Sequence, residues 1–230
     1  MSLPPAKTKN KTPHNSWTQR QTRDPFVKQA KKDGYIARSA YKLMEIDDRF
    51  HLLKGGQILL DLGAAPGGWC QVLVERTKPI GSGGAVVALD LLEVLELPGV
   101  TALRGDINDP KMIEELMALL NHRRVDGVLS DIAPNTSGHP AHDHLKIMSL
   151  LDEALALACN CLKPDGFFLA KLFQGGQEVA FKDQLKQFFR EVQFLKPSAS
   201  RKESREIYLL ARGFVGVELL DSSRICLLDR

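Results

Sequence analysis

A run of small residues, Asp61-Leu62-Gly63-Ala64-Ala65-Pro66-Gly67-Gly68-Trp69, follows one short apolar segment and precedes a helical pattern. Backbone amides in such a run can approach a bound ligand closely, although taken alone it reads equally as a tight strand-to-helix turn. Asp90 ends the next apolar segment, 22 residues beyond Gly68. That is close to the spacing at which an acidic side chain accepts hydrogen bonds from a cofactor ribose. A third segment runs into Arg104-Gly105-Asp106, where the carboxylate either accepts from the exocyclic amine of a base or serves the turn. Together these positions point to a cofactor that contains a nucleoside. The glycines, Gly63, Gly67 and Gly68 with Pro66 between, depart from the G-x-G-x-x-G of dinucleotide dehydrogenases, which counts against a pyrophosphate cradle and an NAD enzyme.

Further charges stand at the ends of later segments. Asp131 closes one, and Lys171 interrupts the apolar stretch 167–173, a place a charged side chain takes only at a strand end or when paired. Both would face one cleft. Glu206 opens a later apolar segment, and opening rather than closing implies a strand antiparallel to the others. Lys42 shares a polar helix face with Arg38, Glu45 and Arg49, where the ordinary reading is solvation.

The elements that must position these residues follow from apolar runs and periodicity. Segments 57–60, 85–89, 100–103, 125–129, 167–172 and 207–210 read as strands, and 111–120 and 143–162 as helices. Two short helical patterns precede them between residues 25 and 50, the second opening at Ser39 as N-cap with Leu43, Ile46 and Phe50 on one face. Strands apolar on both faces, alternating with helices, predict an α/β fold with a doubly wound, mostly parallel sheet.

With 230 residues, 43% of them hydrophobic and 26% charged, the chain has material for one core and little more. No apolar run approaches the roughly 18 residues of a membrane span. Residues 1–54 carry 12 Lys/Arg against 5 Asp/Glu, whereas the remainder carries 19 against 23, so a basic front is joined to a mildly acidic body. A polyanionic partner, nucleic acid, fits that asymmetry. Residues 1–23 hold no acidic residue and almost nothing to bury, and read as a basic arm without the features of a signal peptide. The expected division is arm 1–23, one folded domain over 24–214 and a tail over 215–230. Cys70, Cys159, Cys161 and Cys226 lie in apolar segments without a C-x-x-C pair and read as buried thiols of a reducing, cytoplasmic setting.

Five segments jointly carry a family resemblance: Arg38-Ser39-Ala40-Tyr41-Lys42-Leu43, the run from Asp61 to Trp69, Ser130-Asp131-Ile132-Ala133-Pro134-Asn135, Lys171-Leu172-Phe173-Gln174-Gly175, and Ser204-Arg205-Glu206-Ile207-Tyr208. Over about residues 16–214 the sequence resembles the FtsJ-like RNA ribose 2′-O-methyltransferases, most closely the bacterial type acting on large-subunit ribosomal RNA. The resemblance implies a Rossmann-like, seven-stranded sheet with one antiparallel strand, and S-adenosylmethionine as cofactor. It implies Gly63 among the cofactor-binding residues, Gly67 and Trp69 at the methionine end, Asp90 at the ribose, Asp106 at the adenine and Asp131 near the methyl donor. It also implies a catalytic set of Lys42, Asp131, Lys171 and Glu206, a ribosomal RNA substrate and a monomeric enzyme. Relatives that methylate transfer RNA or messenger caps share these motifs, and a non-catalytic RNA-binding assembly factor could keep the fold.

The implied task is to make a ribose 2′-hydroxyl attack a methyl group that its sulfonium already activates. A lysine near its reference pKa of roughly 10.4 is a poor base, but desolvation and a neighbouring ammonium lower that value, and Lys42 beside Lys171 would be such a neighbour. The carboxylates act oppositely and would position the amines. His139, His142 and His144 cluster, yet Asp143 reads as the N-cap of the following helix and no metal is expected. Lys196, Arg201, Lys202 and Arg205 form a second basic cluster suited to RNA phosphates or simply to a soluble loop.

Overall fold

The computed structural model of the protein describes residues 24–133, 140–201 and 203–216, with no side chain placed for 140–144. The basic arm, Pro134-Asn135, His139, Lys202, Cys226 and nearly all of the tail lie outside the described residues, as do the side chains of His142, Asp143 and His144.

Seven strands form one sheet: β1 (Ile58–Leu62), β2 (Ala85–Asp90), β3 (Val100–Arg104), β4 (Val125–Ser130), β5 (Leu162–Phe173), β6 (Phe189–Leu195) and β7 (Glu206–Phe214). Their order is β3-β2-β1-β4-β5-β7-β6. All neighbours are parallel except that β7 runs antiparallel to both β5 and β6. The helices are α1 (Pro25–Asp33), α2 (Ala40–Phe50), α3 (Gly68–Thr77), α4 (Pro110–Leu119), α5 (Pro140–Cys161) and α6 (Glu178–Leu185). No described helix is long and apolar enough to cross a membrane.

The apolar runs of the central strands are explained by burial on both faces, whereas β3, at one edge of the sheet, has no buried residue. Side chains alternate along a strand, so Leu60, Val128, Phe168 and Leu209 enter one core, with Leu116 of α4 and Leu155 of α5. Their neighbours Leu59, Leu129, Leu169 and Leu210 enter a second core on the opposite face, with Leu43 of α2 and Leu73 of α3. The same alternation carries Asp131, Lys171 and Tyr208, each two residues from a member of the second core, toward that face.

Local signals start the helices. Asp24 and Asp109 accept from Phe26 N and Lys111 N at 3.0 Å each, with Pro25 and Pro110 in the first turn behind them. Ser39 departs from expectation. It precedes α2 in a helical conformation, makes no side-chain cap, and uses its carbonyl to accept from Trp69 Nε1 at 2.9 Å. Asp143 is likewise not an N-cap, because α5 already begins at Pro140. Strand β6 escapes the reading of apolar runs: Arg190, Glu191 and Gln193 break its pattern because it lies at the sheet edge and needs only one strong pairing face.

Candidate active site

Parallel strands deliver their last residues to one edge of the sheet. Asp131 follows β4, Lys171 lies two residues before the end of β5, and the antiparallel β7 brings its first residues to the same edge. Its register sets Tyr208 opposite Lys171 and Glu206 opposite Phe173.

These residues form one hydrogen-bonded cluster. Lys171 Nζ donates to the Asp131 carbonyl at 2.6 Å and meets Asp131 Oδ1 at 3.0 Å. Tyr208 Oη donates to the same Oδ1 at 2.9 Å and accepts from Lys42 Nζ at 3.2 Å. Lys42 Nζ in turn pairs with Glu206 Oε1 at 2.6 Å, an oxygen that also accepts from Ser200 Oγ at 2.9 Å. Lys42 is 8% exposed and Lys171 7%, so Lys42 does not lie on a solvated helix face; α2 turns it inward against β7. The cluster holds two amines and two carboxylates and is neutral as a unit. The lysines do not meet directly in it: each is matched to a carboxylate, and the Tyr208 hydroxyl stands between the two pairs. Burial, then the charges of Asp131 and Glu206, raises the Tyr208 phenol well above its ordinary value, so it remains a donor.

Beside the cluster lies a cleft of about 400 Å³ whose lining includes Gly63, Asp90, Asp106 and Asp131 together with apolar Leu62, Leu89, Leu92 and Ile107. Asp131 belongs to both cleft and cluster. Asp90 holds the loops around it, accepting from Ala65 N at 2.9 Å on Oδ2 and from Leu92 N at 2.8 Å on Oδ1. Asp106 uses Oδ1 for Asn108 N at 2.9 Å and Asn108 Nδ2 at 2.7 Å, which leaves Oδ2 to the cleft. Gly63 has φ +72°, and a Cβ there would lie 2.7 Å from the backbone of Ile132, so no larger residue allows β1 and β4 to open this way. An elongated ligand with an apolar middle and hydroxyl and amine donors suits this lining.

Gly67 and Trp69 are placed elsewhere. Gly67 caps α3 with φ +118° and faces Ile36, Val94 and Leu97. Trp69 is 2% exposed, and its ring packs on Tyr208 with centroids 5.8 Å apart. Its indole therefore backs the cluster instead of lining the cleft.

Three participants were not anticipated. Tyr208 looks like one more apolar strand residue, and Ser200 sits in a polar loop. Asp61 is fully buried: Oδ2 accepts from Cys70 Sγ at 3.2 Å, and Oδ1 has no hydrogen-bond partner among the described residues. Burial, helped by the charges of Asp131 and Asp90, pushes its carboxyl up to about 8. The signal for Asp61 was a carboxylate inside an otherwise apolar strand.

Residues 35–214 match the family model described as FtsJ-like methyltransferase. A protein named Ribosomal RNA large subunit methyltransferase E from Rhodopseudomonas palustris (strain BisA53) is 51% identical over 202 residues, covering 88% of this chain and 86% of its own. One of the same name from Nitrobacter hamburgensis is 47% identical over 208 residues, with 90% and 91% covered. Among solved structures, one provisionally assigned to a ribosomal RNA methyltransferase of Plasmodium falciparum superposes with a TM-score of 0.71 at 31% identity. It covers 79% of this chain and 100% of its own.

Proposed function

The chain belongs to the FtsJ-like methyltransferase family, and on that premise we propose that it transfers a methyl group from S-adenosylmethionine to a ribose 2′-hydroxyl of large-subunit ribosomal RNA. The observation that carries this reading is the cluster of Lys42, Asp131, Lys171, Glu206 and Tyr208 opening beside a cleft that shares Asp131. The substrate class rests on the names of the relatives.

The residues present suit the donor molecule. Asp90 would take its ribose hydroxyls, Asp106 its adenine amine, and Gly63 would let backbone approach its methionine end. When bound, it supplies a methyl group on a sulfonium, which needs a nucleophile and alignment but no further activation. The protein's part is to manage a proton. To serve as base Lys171 must first give up a proton, and the two N–H groups it then keeps are accounted for by the Asp131 carbonyl and Oδ1. Its lone pair is then directed outward to take the 2′-hydroxyl proton as the oxygen–methyl bond forms and the sulfur–methyl bond breaks. Lys42, fixed by Glu206 and Tyr208, has one N–H remaining for the attacking oxygen. Asp131 and Glu206 orient the amines, and Tyr208 ties the two halves together. The arm 1–23 adds phosphate contacts.

The test is methyl transfer from labelled S-adenosylmethionine to isolated large ribosomal subunits and their RNA, followed by mapping of the modified nucleotide. RNA with 2′-deoxy at that position should accept nothing. Methylation of a base in that RNA would replace this reading with another.

A further inference from the structure

Outside the cluster, two arginines distant in sequence converge on one carboxylate. Asp24 is 7% exposed. Its Oδ1 accepts from Phe26 N at the start of α1, while its Oδ2 is shared by Arg38 Nη1 and by Arg201 Nε at 3.1 Å. The second nitrogen of Arg38 donates to the Ala199 carbonyl. Two guanidiniums compete for one acceptor oxygen, and the other carboxylates acting on Arg38, Glu206 and Glu203, do so as charges and not as hydrogen-bond acceptors to it. Burial, then the adjacent Arg201, pushes the Arg38 guanidinium below its usual value. A phosphodiester would suit the place better than a carboxylate does, because its two free oxygens give each guanidinium its own acceptor.

The place also adjoins the reacting groups. Ala199 precedes Ser200, whose hydroxyl donates to Glu206, and Glu206 holds Lys42. The loop carrying Ala199 and Arg201 is pinned to α2 by Glu45, which accepts from Ser198 N at 2.8 Å and Ser198 Oγ at 2.7 Å. A phosphate in this position would therefore lie along the same backbone as the ribose presented to Lys42 and Lys171.

We propose that Arg38 and Arg201 are a binding site for an RNA phosphate next to the methylated ribose, and that Asp24 holds this site in the free protein until the phosphate displaces it. The proposal rests on the RNA reading above. Asp24 then acts as an internal competitor: every RNA that binds must break the Asp24 pairings, so affinity is lowered for strands that cannot put a phosphate there.

Asp24→Asn tests this directly, since asparagine keeps the helix cap and loses the charge. RNA affinity, measured with ribosomal RNA and with a single-stranded oligonucleotide, should rise by roughly fivefold or more. Adding Arg201→Ala should abolish the gain. Arg201→Ala alone should weaken RNA binding and make the slope of log affinity against log salt shallower by about 0.7, as expected for one single-strand phosphate contact. Unchanged or weaker binding by Asp24→Asn at an unchanged melting temperature would show the arginine pair to be an internal strut and overturn the proposal. Should Asp24→Asn melt early, an unchanged affinity and slope in Arg201→Ala, whose side chain is 35% exposed, overturns it equally. A lack of RNA binding by the unaltered protein would instead overturn the functional reading itself.

Discussion

Tyr208 donates its hydroxyl hydrogen to Asp131 Oδ1 at 2.9 Å, and through that bond the strand that enters the sheet in the opposite sense is joined to the strand end shared with the cleft. The same hydroxyl accepts from Lys42 at 3.2 Å. Tyr208→Phe should keep the ring packing on Trp69 and the fold, because only an oxygen is removed. It should slow single-turnover methyl transfer by about tenfold, the effect of losing a hydrogen bond to a charged group worth roughly 1.5 kcal/mol. Affinity for S-adenosylhomocysteine, read by calorimetry, should stay within about twofold.

Lys171→Ala removes the proposed base. Single-turnover methyl transfer is expected to fall by roughly 100-fold or more while cofactor affinity holds. Turnover close to that of the unaltered protein would assign the proton to another group.

Asp90 lines the cleft and also fixes Ala65 and Leu92. Asp90→Ala should weaken S-adenosylmethionine binding by about 1.5 to 3 kcal/mol, roughly 10- to 100-fold, through the lost acceptor for ribose hydroxyls. In the unaltered protein, S-adenosylmethionine and its demethylated product should raise the melting temperature, and NAD should not.

Asp61 gives stability a pH dependence of its own. With its carboxyl raised to about 8 in the fold and near 4 in the unfolded chain, the folded state keeps a proton that the unfolded state releases between those values. Rising pH therefore destabilises the protein through this window, by about 1.4 kcal/mol per pH unit for one such group. Asp61→Asn, similar in shape and without a proton to lose, should flatten that slope. Denaturant unfolding of both proteins at pH 5, 6, 7 and 8 measures it, and parallel stability curves would refute the assignment.

Legibility in the sequence followed the physics of each residue. Asp90, Asp131 and Lys171 could be singled out because a charge at the end of an apolar strand has few explanations, and Glu206 because it opens a strand instead of closing one. The burial of Lys42 could not be read that way. Helical periodicity groups it with Arg38 and Arg49, and only Glu206 and Tyr208, the latter 166 residues away, account for its turning inward. Tyr208 and Trp69 are both apolar to any periodicity, so nothing local distinguishes the phenol that joins the cluster from the indole that supports it. Strand β6 has Arg190, Glu191 and Gln193 between its apolar residues, so no apolar run marks it, whereas β3, no better buried at the other edge, keeps Val100, Ala102 and Leu103 together.

Because β7 lies between β5 and β6, and its first residues supply Glu206 and Tyr208, the order in which the protein is made has a consequence for when it works. Synthesis proceeds from the amino end and structure forms behind it. The lining of the cleft ends with Leu150, so a growing chain has every cleft residue well before it has β7. Until that strand inserts, Lys42 has no carboxylate, Asp131 has no phenol, and the flank of β5 lies open. A chain halted before Glu206 would have the cleft lining, Asp131 and Lys171, but would lack the Glu206 and Tyr208 that fix Lys42. The cluster of Lys42, Asp131, Lys171, Glu206 and Tyr208 is thus completed only by the last strand to be made, after the whole cleft lining exists.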